Sequence, residues 1–387
     1  MTEDPRRTRV LLVITRLELG GAQRVVLHTA RHLDRGDFEV ALAWGPGERL
    51  DSEAHAVSDL GLFPVSSLVR PVAPVSDLRA VRDLRRVMRS FRPDVVHTHS
   101  SKAGILGRFA ARRERVQSVV HTVHGFGFTP LQPPPTRFVF RTLERALARW
   151  TDHFITVSES DRRRGVELGL FPAERASVIR AGIDLEAFRS AAGGDAVRVA
   201  LGIPPTALLV TQVGNFKPQK APLDFVRMAA AVASQVPDVW FVMVGDGPLR
   251  TAAEELARSL GVAEHMVFCG WWDDVTALLD ATTVSVLTSV HEGLPCSVVE
   301  ALAAGVPVVA TAVDGTVEVI GSGVNGFLAP VGDVDALATG VRGILQDPVM
   351  RERMAAAARD GLDQFDRDVM VRQQEELYRW IGSASRS

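Results

Sequence analysis

The chain has 387 residues, 46% of them apolar and 23% charged, with a formal net charge of −2. This is an ordinary globular composition with enough chain for two cores rather than one. Its two cysteines, Cys269 and Cys296, exclude a disulfide framework and a cysteine-based metal site, and they fit a reducing cytoplasm. The charged start Met1–Arg9 runs into Val10–Ile14 without a long apolar core or a cleavage site, so no secretory signal is expected. The most apolar window, Val298–Val313, is broken by Glu300, Gly305 and Pro307 and falls short of the ~20 residues of a spanning helix, so no transmembrane segment is expected.

The net charge hides an asymmetry. Residues 1–190 carry 30 Lys and Arg against 22 Asp and Glu, a net +8, which leaves −10 for the rest. The halves are therefore expected to meet different partners, and the acidic second half argues against nucleic acid.

In the first half, β-rich segments at Val10–Ile14, Glu39–Ala43, Val95–Thr98, Ser118–Thr122 and His153–Val157 alternate with amphipathic helical stretches. That alternation predicts parallel α/β layers. After the first strand comes Leu19–Gly20–Gly21–Ala22–Gln23–Arg24, where two glycines before free helix-terminal amides let an anion or hydroxyl approach closely. Thr98–His99–Ser100–Ser101–Lys102–Ala103–Gly104 forms a further loop-to-helix turn. The histidines His97, His99, His121 and His124 cluster at strand ends, but no fixed carboxylate or cysteine accompanies them, which speaks against zinc.

Within Thr136–Trp150, Arg137, Arg141, Arg145 and Arg149 recur every four residues, while Phe140, Leu143, Leu147 and Trp150 take another helix face. The preceding loop Gly125–Pro135 holds Phe126, Phe128, Leu131 and three consecutive prolines. An ordinary domain helix with a solvated arginine face and a helix that docks reversibly on anionic lipid are both open.

Val178–Phe188 and the small-residue stretch Ser190–Gly194 form the expected joint, which divides the chain into 1–189, 190–368 and a terminal helical segment 369–387 that packs back on the first domain. The strand pattern restarts at Ala207–Val213 and continues at Trp240–Val244, Met266–Phe268, Val284–Leu287 and Pro307–Thr311. Two doubly wound units follow. In such sheets ligands bind where strands end and helices begin, so two facing units are expected to enclose a cleft for two reactants.

The stretch Thr288–Gly305 carries the most chemistry. It follows a strand, turns at Gly293 and restarts as a helix near Pro295, where free amides suit a phosphate or sugar hydroxyl. Glu292 lies before that helix and Glu300 more than one turn inside it, and the apolar neighbours Val298, Val299, Ala301 and Leu302 make a merely solvated Glu300 a poor fit. A strand-to-helix turn also occupies Gly214–Asn215–Phe216–Lys217–Pro218–Gln219–Lys220. The pairs Asp333–Val334–Asp335 and Asp366–Arg367–Asp368 match a divalent-metal motif by letter, but both lie beyond these segments, and the first reads as a helix cap.

Glu292 with seven residues before Glu300, followed by Ala301–Val309, closely resembles the retaining glycosyltransferases of family 4. Val244–Leu249, Gly270 and Asp314–Glu318 match in order and spacing. The resemblance covers nearly the whole chain and implies a GT-B fold of two Rossmann-like domains, the first binding acceptor and the second nucleotide-sugar. It implies that Glu292, with Gly293 and Leu294, binds the transferred sugar and that Glu300 binds the ribose. Gly214–Lys220 resembles the diphosphate loop, with Lys220 on the phosphates and Asn215 where an arginine is usual. Lys217 is a second cation open to that task. Gly21 corresponds to the flexible loop beside the donor phosphates, His124 to the histidine against the transferred sugar, and Thr98–Gly104 to the acceptor side.

The implied reaction moves a sugar from a nucleoside diphosphate sugar, UDP by default, to a hydroxyl of a lipid-linked saccharide or a small aglycone, with retention. The donor is a substrate, so no cofactor is expected, nor a metal. The expected location is cytoplasmic, with peripheral contact at the inner membrane face. A nonhydrolysing sugar-nucleotide epimerase and a silent sugar-nucleotide-binding module are the alternatives.

Overall fold

Parallel strands covered by helices on both faces must be apolar along their whole length. Val10–Ile14 meets that condition, with every residue at 0% exposure. The computed structural model describes residues 6–129 and 131–384. Met1–Pro5, Pro130 and Ser385–Ser387 lie outside the described residues, and with them the start of the charged N-terminal run, one residue of the Gly125–Pro135 loop and the end of the terminal segment. The chain divides into two compact units, residues 1–182 with 366–387, and residues 183–365.

The first unit holds seven strands: β1 Thr8–Arg16, β2 Phe38–Gly45, β3 Gly61–Pro64, β4 Val95–His99, β5 Ser118–Val123, β6 His153–Thr156 and β7 Ala176–Val178. They pair in parallel in the order β3-β2-β1-β4-β5-β6-β7. The second holds β8 Leu208–Val213, β9 Val239–Val244, β10 Met266–Gly270, β11 Val284–Leu287, β12 Val308–Thr311 and β13 Gly326–Ala329, also parallel, in the order β10-β9-β8-β11-β12-β13. Strand order reverses between β1 and β4 in the first sheet and between β8 and β11 in the second. At such a switch point the flanking loops diverge to opposite faces and leave a crevice.

All ten strands expected from sequence form. The three not foreseen, β3, β7 and β13, are sheet edges of three or four residues. Ser190–Gly194 lies within the second unit, where the amide of Gly194 donates to Asp280 Oδ2 at 2.8 Å. The terminal helix Arg367–Ala384 packs on helix Gly21–His32 of its own unit. Thr29 Oγ1 donates to Gln374 Oε1 (2.9 Å), the amide of Asp34 donates to Glu375 Oε1 (2.8 Å), and Tyr378, the only tyrosine in the sequence, is wholly buried.

Helix Ser101–Glu114 is tied to helix Pro134–Ala148 by a buried cation. Arg108 has no exposed surface; its guanidinium donates to Glu144 Oε2 (2.5 Å), to the carbonyl of Gly104 (2.8 Å) and to Thr151 Oγ1 (3.4 Å). Removing one member of such a pair leaves the other without its charge partner in a poorly solvated place. Arg108→Met should therefore lower stability by about 3 kcal/mol, and adding Glu144→Leu should recover part of the loss. Urea unfolding of both variants checks this, and a double variant no more stable than the single one would contradict it.

Candidate active site

At the second switch point three strand ends are stitched together by backbone. The amide of Gly214, just after β8, donates to the carbonyl of Val244 (2.9 Å), that of Gly245 to Gly270 (2.7 Å) and that of Phe216 to Asp246 (3.0 Å). Gly245 has φ +124°, and a Cβ there would stand 2.2 Å from the carbonyl oxygen of Gly214. Only glycine permits this approach, which sets the path of the Gly214–Lys220 loop.

The loop closes in a single 3-10 turn, Pro218–Lys220, that faces the segment after β11. The carbonyl of Lys220 accepts from Thr288 Oγ1 (2.7 Å), and the amide of Val290 donates to the carbonyl of Gln219 (2.8 Å). So anchored, Lys220 Nζ lies 2.5 Å from Glu292 Oε1, and Ser289 Oγ lies 2.6 Å from the same oxygen. Glu292 is buried at 7% exposure, its amide donates to Asp314 Oδ2 (2.9 Å), and the amide of Gly315 donates to the carbonyl of Gly293 (3.1 Å). Both side-chain bonds fall on Oε1, and none among the described residues reaches Oε2.

Gly293 and Leu294 are buried between Glu292 and helix Cys296–Ala303. Glu300 is half-buried on that helix, and Asn215 and Lys217 are half-buried on the loop. Gly270 closes β10 at φ +69°, in the left-handed region. The structure thus brings Gly214, Asn215, Lys220, Glu292, Gly293 and Leu294 to one strand-end crevice. Ser289 and Gln212 were missed by the sequence reading. Gln212 lies in β8, donates to Thr288 Oγ1 (3.1 Å), and keeps a buried Oε1 with no partner. Its signal was available, since a glutamine in the otherwise apolar Leu208–Val213 requires a polar partner.

The acidic pairs behave as caps. Asp333 Oδ1 accepts from the amide of Ala336 (2.9 Å), and Asp366 Oδ1 from that of Asp368 (2.8 Å).

The first unit has its own crevice at the β1/β4 switch. Gly21 opens helix Gly21–His32, and a cavity of about 830 Å³ is lined by polar Thr15, Gln23, Ser100 and Lys102 and by apolar Leu106, Val139, Phe140 and Leu143. Ser100 sits at φ +64°, ψ 155°, a region that side chains rarely enter. Thr15 Oγ1 holds it at 2.6 Å from Ser100 Oγ and also accepts from the amide of Ala103 (3.1 Å). The cavity's Lys102 is paired with Asp77 (2.5 Å) and its Arg70 with Glu18 (2.6 Å).

The four histidines split by strand face. His121 points to helix Ser101–Glu114, where its Nδ1 lies 2.9 Å from Thr98 Oγ1 and where a Cβ on Gly104 would stand 2.5 Å from its ring. His97, His99 and His124 lie on the other face. Desolvation holds the imidazoles of His97 at about 3 and His124 at about 4, and holds His99 and His121 well below the usual histidine range. All four are neutral at physiological pH, so His124 offers a neutral ring rather than an acid.

Residues 19–187 match the family described as Glycosyltransferase Family 4, and residues 195–361 the one described as Glycosyl transferases group 1. The chain is 32% identical over 340 residues to the UDP-Gal:alpha-D-GlcNAc-diphosphoundecaprenol alpha-1,3-galactosyltransferase of Escherichia coli, covering 86% of each chain. It is 29% identical over 369 residues to the 2-deoxystreptamine N-acetyl-D-glucosaminyltransferase of Streptomyces fradiae, covering 91% of this chain and 84% of that one. The structure of Anabaena Alr3699/HepE in complex with UDP and glucose matches with a TM-score of 0.83 at 22% identity, over 96% of this chain and 99% of that one. Two parallel α/β sheets, the two family matches and the galactosyltransferase likeness agree: the chain belongs to the group 1, family 4 glycosyltransferases and is a retaining glycosyltransferase with a GT-B fold.

Proposed function

We propose that the donor is a UDP-sugar, that the acceptor is a lipid-linked saccharide, and that transfer needs no bound metal. The observation that carries the donor side is the Lys220–Glu292–Ser289 network at the β8/β11 switch. A diphosphate entering there competes with Glu292 for Lys220. The lysine then neutralises charge growing on the departing UDP, and the freed carboxylate, with the backbone of Gly293 and Leu294, orients sugar hydroxyls. In this reading Gly214, Asn215 and Gly270 serve the phosphates and Glu300 the ribose, and within the first unit Gly21 is assigned to the donor phosphates and neutral His124 to the transferred sugar.

In the reaction the bond from the anomeric carbon to the phosphate oxygen breaks, and the acceptor oxygen bonds to the same face. The acceptor proton passes to the departing phosphate. With the donor bound, Glu292 is engaged by Ser289 and by the sugar hydroxyls, which leaves it a poor covalent nucleophile and supports this same-face displacement.

The acceptor side is supported by the likeness to the Escherichia coli galactosyltransferase and by the mixed lining of the 830 Å³ cavity, which combines polar Thr15, Gln23 and Ser100 with apolar Leu106, Val139, Phe140 and Leu143. Helix Pro134–Ala148, which supplies Val139, Phe140 and Leu143 to that lining, buries only Leu147 among its described residues. Its exposed apolar residues are Phe138 (62%), Val139 (53%) and Leu143 (40%), whereas Phe140 and Trp150 of the expected apolar face are half-buried. They stand beside exposed Arg137, Arg141 and Arg149, while Arg145 donates to the carbonyls of Leu168 and Gly169. That mixture suits reversible contact with an anionic membrane. Among the described residues no helix is long and apolar enough to cross one.

Three outcomes test these assignments. Glu300→Ala should weaken UDP binding ten- to a hundredfold, roughly the worth of one charged hydrogen bond, whereas Glu292→Ala should mainly lower turnover. Calorimetry that finds unchanged affinity in Glu300→Ala removes the ribose role. Activity should persist in excess chelator and collapse in Lys220→Ala even at saturating donor; loss in chelator that magnesium restores would argue for a metal. Finally, replacing Arg137, Arg141 and Arg149 by Gln should weaken sedimentation with phosphatidylglycerol vesicles by about two orders of magnitude at low salt, at ~1 kcal/mol per arginine. Equal binding to phosphatidylcholine vesicles, or none to either, refutes membrane contact.

A further inference from the structure

One face of the first sheet carries a row of rings of which only His124 has a role in the steps above. His97 and His99 are two apart on β4, and Thr122 and His124 are two apart at the end of β5, so in the parallel register of these strands all four project to the same side. Tyr378 of the terminal helix meets them there. Its hydroxyl is 2.6 Å from His97 Nδ1, and His97 Nε2 is 2.7 Å from Thr122 Oγ1, so both nitrogens of His97 are occupied. The His97 ring lies against that of His99, with centroids 4.1 Å apart. His99 has no exposed surface; its Nδ1 is 3.1 Å from His124 Nε2, and its Nε2 is buried without a partner.

We propose that His99 is a positioning residue, which holds His124 by Nε2 and leaves Nδ1 as the only ring nitrogen that His124 can present to a ligand. The contact requires a single hydrogen between two imidazoles, and both are neutral by desolvation. If His124 turned away, His99 would be a buried imidazole with neither nitrogen bonded, which costs free energy because its polar atoms would be left unsatisfied away from water. That cost restrains the ring of a residue lying just past the strand end, where the backbone alone does not. The row transmits rigidity and not protons, because His97 and His99 touch through their rings and share no hydrogen bond. Tyr378 props His97, His97 props His99, and His99 fixes His124.

The consequence for turnover rests on the proposed place of His124 beside the transferred sugar; the pairing itself does not. The direct test is ring-nitrogen NMR on the full chain labelled with 15N-histidine. A scalar coupling between His99 Nδ1 and His124 Nε2 across the hydrogen bond is expected in the wild type, and its absence overturns the proposal without any variant. His99→Phe keeps an aromatic ring and removes both ring nitrogens, whereas His99→Asn returns a polar group close to Nδ1. His99→Phe should shift the His124 Nε2 resonance and lower kcat about tenfold with UDP affinity unchanged, and His99→Asn should restore most of the rate. An unmoved Nε2 resonance, or UDP affinity falling in step with kcat, would contradict positioning. Full turnover in His124→Ala, with the coupling present in the wild type, would instead remove the sugar contact and leave the pairing standing.

Discussion

A parallel sheet buried on both faces can carry charge only where its strands stop. In this chain that constraint clears polar side chains from most of β1 and β8 and concentrates them at the two places where strand order reverses. Lys220, Ser289 and Glu292 gather beyond β8 and β11, and Thr15, near the end of β1, meets Ser100, just past β4. Polar side chains that do lie inside the strands, among them Gln212, Thr98, His97 and His121, hydrogen-bond to a neighbouring strand, loop or helix. Both crevices are thus a product of the sheet order before they are a product of any one residue.

At the second crevice the main consequence is electrostatic. A carboxylate at 7% exposure is tolerable because an ammonium and a hydroxyl meet one of its oxygens. The same arrangement makes the site responsive: an anion that draws Lys220 away leaves Glu292 in need of new donors, and sugar hydroxyls supply them. Donor phosphate and donor sugar are in this reading recognised by two halves of one ion pair. The close glycine contacts between the loops after β8 and β9 keep the lysine's backbone in place while its side chain changes partner.

Much of this was legible in the sequence. Strands such as Val10–Ile14 and Trp240–Val244 are unbroken apolar runs, and Glu292, Glu300 and Lys220 are charges at loop and helix positions beside such strands. The edges were not legible, because β3, β7 and β13 are three or four residues long and two of them contain Gly or Pro, so no period develops. Nor could periodicity show which apolar residues of helix Pro134–Ala148 are covered, since Phe140 is claimed by a cluster around Phe154 and Phe171 while Phe138 is left outside. Pairings across long separations, His97 with Tyr378 above all, are set by which helix returns to which sheet, and that information is not local.

The central claim is that Lys220 exchanges Glu292 for the donor diphosphate, and a double-mutant cycle on UDP affinity tests it most directly. Calorimetry on the wild type, Glu292→Gln, Lys220→Ala and the double variant isolates the coupling between the two side chains. The account predicts that Glu292→Gln binds UDP at least as tightly as the wild type and that removing Lys220 costs more affinity in the Gln background than in the native one. Equal losses in both backgrounds, or a Lys220→Ala variant that binds UDP like the wild type, would contradict it.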